Sequence, residues 1–144
     1  MITSRSPYPL TAGYRLRIHY IAKILSQKFL VDLFSLQSVA TLIDSPFDRI
    51  FDFSNSQFRL AYNSLINLDK NWPFQVACYF SEKTYKWMNL HRRDYDLIYV
   101  HHVRMAPYAR CLNTIRILDY RDAISMHYQI SLAYAQGPWR LVYQ

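Results

Sequence analysis

Two hydrophobic periods alternate along the chain. Residues 29–36 (FLVDLFSL) form a near-continuous apolar run, the pattern of a strand covered on both faces. Shorter runs of this kind lie at 49–53 (RIFDF), 96–101 (DLIYVH) and 114–119 (TIRILD), each close to the usual strand length of about 5 residues. Between them the period becomes helical. In 14–28, Ile18, Ile21, Ala22 and Leu25 fall at i, i+3, i+4 and i+7, with Arg15, His19, Lys23 and Gln27 on another face. In 56–70, Phe58, Ala61, Tyr62 and Leu65 repeat the spacing and predict a second helix with one apolar face. Ser81 is placed to cap a helix over 81–92, with Glu82 in its first turn. Residues 105–112 form a short helical candidate, and 124–136 read as a helix stopped by Gly137-Pro138. The longest expected loop is 37–48, and Asn71-Trp72-Pro73-Phe74 breaks the chain before a further apolar run at 75–80.

Strands alternating with helices predict an α/β fold: a doubly wound, mainly parallel Rossmann-like sheet with helices on both faces. At 144 residues the expectation is a single domain over 1–144. The first strand is the odd element. Arg5-Ser6-Pro7-Tyr8-Pro9-Leu10-Thr11-Ala12-Gly13 reads as a strand-to-helix turn, yet only Met1-Ile2-Thr3-Ser4 precede it, short for a central strand.

Composition narrows the function classes. At 51% apolar and 19% charged residues, the chain is too apolar for disorder. No run approaches the ~18 apolar residues of a membrane-spanning helix, and the first residues lack the features of a signal peptide. Cys78 and Cys111 share no metal-binding spacing and read as reduced core thiols of a cytoplasmic protein. Two glycines are too few for a dinucleotide fingerprint, and Gly13 and Gly137 are too far apart for a phosphate loop of the Walker type. Seventeen Lys and Arg against ten Asp and Glu give a net charge of +7, which favours phosphates, nucleic acid or a lipid surface as partner. The aromatic residues are spread over every segment with no basic-aromatic cluster, which argues against nucleic acid.

Three places carry candidate chemistry. The Pro-Tyr-Pro-Leu-Thr-Ala-Gly loop leads into a helix start, where free N–H groups attract anions. Gly13 lets backbone approach a phosphate, and Arg15 and Arg17 add cations that oppose the helix dipole, which suggests a task other than helix stability. His101 and His102 end a strand and Arg104 follows, at the sheet edge where ligands bind in open α/β folds. Asp119 and Asp122 end the next strand, placed to act as a base, to bind a sugar hydroxyl or to cap the following helix. No His, Cys or Asp spacing suits a metal.

These stretches, in this order, resemble the N-terminal half of GT-B glycosyltransferases, which pair two Rossmann-like domains. The likeness is to the glycosyltransferase 4-like group, and within it to exosortase- and exopolysaccharide-associated sugar transferases. It is carried by residues 6–17 (SPYPLTAGYRLR), 95–108 (YDLIYVHHVRMAPY) and 117–126 (ILDYRDAISM). The resemblance implies a retaining transfer of sugar from a nucleotide-sugar, a co-substrate with no further cofactor, to a glycan or lipid-linked acceptor. It implies Gly13 and Arg15 near the donor diphosphate, and His101, Arg104, Asp119 and Asp122 on the acceptor side. Two positions depart from the family: Ala12 stands where many members have a second glycine, and Arg121 where many have a histidine, so that histidine's role does not transfer. The family's donor-binding domain is absent from the sequence. The expectation is therefore a piece of an enzyme, shortened at both ends and inactive alone, with peripheral contact with an anionic inner membrane face. The competing expectation is a non-catalytic basic module that binds an anionic polymer or membrane surface. Under either, positive charge is expected near the cleft and first helix, through Arg5, Arg15, Arg17 and Lys23.

Overall fold

A computed structural model describes residues 1–40, 44–54, 56–67, 70, 72–91, 94–110, 113–120 and 133–134. Five strands form one all-parallel sheet: β1 (Ile2–Thr3), β2 (Leu33–Ser35), β3 (Ile50–Asp52), β4 (Leu97–His101) and β5 (Ile115–Asp119), in the order β3-β2-β1-β4-β5. The fold is a Rossmann-like α/β sheet, and the four expected strands lie inside the apolar runs that predict them.

The short first segment occupies the centre. Ile2 pairs with both Phe34 and Val100, and Thr3 with both Ser35 and His101. Both residues of β1 are buried, and the Met1 α-ammonium donates to the Asp32 carbonyl at 2.6 Å. Burial pushes that amine down from 8.0 to about 5, against the attraction of the Asp32 charge. Two residues suffice as a strand because β2 and β4 flank them on both sides and supply ladder partners to each.

Alternation along the strands divides the core. Met1, Leu33 and Tyr99 face α1 (Gly13–Leu25), which contributes Ile18 and Ala22. Ile2, Phe34, Ile98 and Val100 face the other side, where Phe80, Met88, Met105 and Tyr108 cover them. That second layer comprises α2 (Gln57–Ile66), α3 (Phe74–Tyr79), α4 (Glu82–Leu90) and α5 (Ala106–Arg110), the last preceded by a 3-10 turn at Val103–Met105. Ser56 and Ser81 cap α2 and α4 by accepting from the N–H groups of Arg59 and Thr84. Tyr108 Oη donates to the Tyr79 carbonyl at 2.8 Å and accepts from the Ser81 N–H at 2.7 Å, fixing the link between α3 and α4.

Helix α2 forms within the expected span and turns its apolar stripe outward. Phe58, Ala61, Tyr62 and Leu65 point away from the core, whereas Asn63, Ser64 and Asn67 are buried. Asn67 Nδ2 donates to carbonyls of Asn63 and Ala77 at 2.8 and 3.3 Å, so hydrogen bonding to α3 sets the inward side of this helix. The run at 75–80 is helical because it follows Pro73, which cannot extend a ladder but suits a helix start. Cys78 is a free thiol. Cys111, Asp122 and most of the expected helix 124–136 lie outside the described residues; Ala133 and Tyr134 within it are helical. Among the described residues no helix is long and apolar enough to cross a membrane.

Candidate functional site

The chain leaves β1 through α1 toward β2 on one side, while β4 pairs on the other. The loops after β1 and β4 therefore diverge at the carboxyl edge, the topological switch point where open α/β sheets bind ligands. A cleft of about 140 Å³ opens there, lined by Thr3, Ser4, Arg5, Tyr14, His101, His102 and Arg104. Among the described residues, no carboxylate lines it.

The β1 loop is held by its own side chains. Thr3 Oγ1 donates to the Arg5 carbonyl at 2.9 Å, and the Ser6 N–H donates to Gln37 Oε1 at 3.1 Å. Arg15 turns back: its guanidinium donates to the Pro9 carbonyl at 3.0 Å, to Thr11 Oγ1 at 3.2 Å and to Tyr14 Oη at 2.8 Å. This cation at a helix start thus latches the loop. Arg5 lies over the Tyr14 ring at 5.6 Å. Gly13 opens α1 with no side-chain cap before it, and a Cβ built on it would meet nothing within 4 Å. Packing does not require glycine there.

The β4 side is set by a buried polar cluster. Asp119 accepts from Arg17 Nε and a terminal guanidinium nitrogen at 2.9 and 2.8 Å, and from Tyr99 Oη at 2.6 Å; His101 Nδ1 lies at 3.3 Å. Burial raises the Asp119 carboxyl, but the bonds from Tyr99 and Arg17 and the nearby cations outweigh it and hold the group below the usual carboxylate range. Tyr99 is pushed up to about 12 by burial and by that same carboxylate. An ionised Asp119 accepts, so the His101 proton in this contact sits on Nδ1. Asp119 is therefore the brace behind His101. His102 follows with φ 81° and ψ 140°, a conformation rare for a residue with a side chain. Its ring accepts from the Arg104 N–H at 3.3 Å. Arg104 Nε donates to Gln75 Oε1 at 2.8 Å, and the guanidinium covers the Tyr79 ring at 5.3 Å.

Of the six residues to which the resemblance assigns a role, His101 and Arg104 line the cleft, together with His102 from the same strand end. Gly13 and Arg15 flank Tyr14 at its rim, Asp119 lies behind His101, and Asp122 is outside the described residues. Lys23 stands in the last turn of α1, a helix length from the cleft, and Arg17 is tied to Asp119. Thr3, Ser4 and Tyr14 went unmarked; polar residues ending a central strand were the available signal. Among the described residues, no group of three or more His, Cys, Asp or Glu could hold a metal ion. The chain matches no protein-family model, no curated protein and no solved structure.

Proposed function

We propose that this chain is the acceptor-side domain of a retaining GT-B glycosyltransferase, acting with a second, donor-binding domain to move sugar from a nucleotide-sugar to a glycan or lipid-linked acceptor. The observation that carries this reading is the switch-point cleft, with Arg5 and Arg104 on its walls and a carboxylate-braced His101 in its lining. Two guanidiniums and a helix start suit a diphosphate, and polar groups of β1 and β4 suit hydroxyls. The volume is below the ~300 Å³ at which complete small-molecule pockets begin, as expected of one wall of a shared site. With one wall, the donor is not oriented for transfer, so the isolated chain binds weakly and turns nothing over.

Arg5 and Arg104 in the cleft lining and the net charge of +7 support the second reading, a basic module binding an anionic polymer without chemistry. Calorimetric titration separates the two. The glycosyltransferase reading predicts weak saturable binding of at least one nucleoside diphosphate, tighter than inorganic phosphate, and no nucleotide release from nucleotide-sugars. Binding of a sulfated or phosphorylated polymer with no response to any nucleotide favours the module. No response to either removes both.

A further inference from the structure

Helix α2 carries its apolar residues on the wrong side for a core. Phe58 is 90% exposed, Leu65 68% and Tyr62 62%, with Ile66 beside them, at spacings i, i+4, i+7 and i+8. The inward side of the same helix holds Asn63, Ser64 and Asn67, all buried. That orientation has a cost: among the described residues, Asn63 Nδ2 is buried without an acceptor. Single exposed apolar residues are ordinary, but a continuous stripe opposite a buried polar side marks a surface that meets an apolar partner. Phe74, at the start of the adjoining α3, is also exposed. The outer residues Leu16, Tyr20 and Ile24 of α1 differ, because α1 already buries an apolar side and these are its remainder.

We propose that the outward face of α2 docks the protein on an anionic lipid surface, with Phe58, Tyr62, Leu65 and Ile66 entering the headgroup boundary. Two observations choose lipid over a second copy. A ten-residue helix is about 15 Å long, so its face offers a few hundred Å² at most, short of the ~800 Å² per partner of a stable dimer. Charge also fits. Residues 54–90 hold four cations, Arg59, Lys70, Lys83 and Lys86, against Asp69 and Glu82, within a chain of +7. Glu82 lies 3.9 Å from Lys70 and 4.0 Å from Lys86, which cover its charge. An amphipathic helix lying in an interface gains from apolar burial and from nearby Lys and Arg against anionic headgroups. This inference rests on exposure and charge and is independent of the glycosyltransferase reading.

Vesicle sedimentation tests it with the full chain. Vesicles of phosphatidylcholine alone are compared with vesicles containing an equal part of phosphatidylglycerol, at low and high salt. The wild type is expected to bind the anionic vesicles, weakly the neutral ones, and less at high salt. Phe58→Gln with Leu65→Gln lowers anionic-vesicle partitioning at least about tenfold while the thermal unfolding curve stays in place. Arg59→Gln lowers it about fivefold on anionic vesicles only. Tyr20→Gln with Ile24→Gln on α1 leaves binding unchanged. Four results overturn the proposal: no sedimentation of the wild type; equal binding by the α2 variant; a lipid-free dimer of the wild type that the α2 variant dissolves; or a lowered unfolding temperature in that variant, which means the chain itself covers the face.

Discussion

Arg17, in the second turn of α1, holds the carboxylate of Asp119, the last residue of β5, through both oxygens at 2.9 and 2.8 Å. The pair joins residues 102 positions apart and ties the first helix to an edge strand. It also keeps Asp119 ionised behind His101, so a structural bond shapes the cleft.

The two ends of this bond differ in burial. Arg17 is half exposed and Asp119 is buried. Arg17→Ala is expected to cost at most about 1 kcal/mol, as for other solvent-facing ion pairs, because Tyr99 and His101 still serve the carboxylate. Asp119→Ala leaves the buried Tyr99 hydroxyl and His101 ring without their acceptor and is expected to cost about 2–3 kcal/mol. Urea unfolding of the two variants checks the order; equal costs contradict it.

Acid weakens the fold in two steps. Asp32, at the amino end of β2, is raised by burial, but bonds from Arg49 and Tyr95 and the nearby positive charges together bring it below its ordinary value, as happens at Asp119. A carboxyl with a depressed folded pKa stabilises above its unfolded value near 3.8, and that stability is lost as pH falls through the folded value. The Met1 amine acts in the same direction. As a base lowered from 8.0 to about 5, it contributes fully above 8, and its contribution declines between 8 and 5 by up to roughly 1.4 kcal/mol per pH unit. Chemical denaturation across pH should show a slope from 8 to 5, removed by N-terminal acetylation, and a second below about 4. That lower slope should shrink in Asp32→Asn and Asp119→Asn.

Two backbone positions at the cleft separate stability from binding. Gly13→Ala fills open space at a helix start and is expected to leave stability unchanged or raised by up to about 1 kcal/mol. Any loss of anion binding in that variant then reports close approach of the ligand. His102→Gly removes the side chain from a φ of 81° and is expected to stabilise by about 1 kcal/mol while weakening binding at the cleft. Thermal unfolding with and without a nucleoside diphosphate checks both; a destabilised Gly13→Ala contradicts the open space at that position.

Sequence periodicity identified where apolar stripes lie but not which way they face. The stripe of α1 meets the sheet as expected, since Ile18 and Ala22 have Leu33 and Tyr99 opposite them. The stripe of α2 has the same spacing and turns outward, because Asn67 Nδ2 points inward and donates to the carbonyls of Asn63 and, in α3, Ala77. Nothing in a single helix's pattern encodes that neighbour. At the site, strand ends were legible from where apolar runs stop, which located His101, Arg104 and Asp119. Partner choice was not: that Arg17 takes Asp119 and that Arg15 returns to Pro9 depends on how the elements pack.

The central claim is that anions bind between the ends of β1 and β4. Nuclear magnetic resonance of the isotope-labelled chain, titrated with nucleoside diphosphates and with pyrophosphate, tests it most directly. Saturable amide shifts are expected, confined to Thr3–Arg5, Gly13–Arg15 and His101–Arg104 and weakened in Arg5→Gln and Arg104→Gln. Shifts centred elsewhere, or none with any of these anions, contradict it.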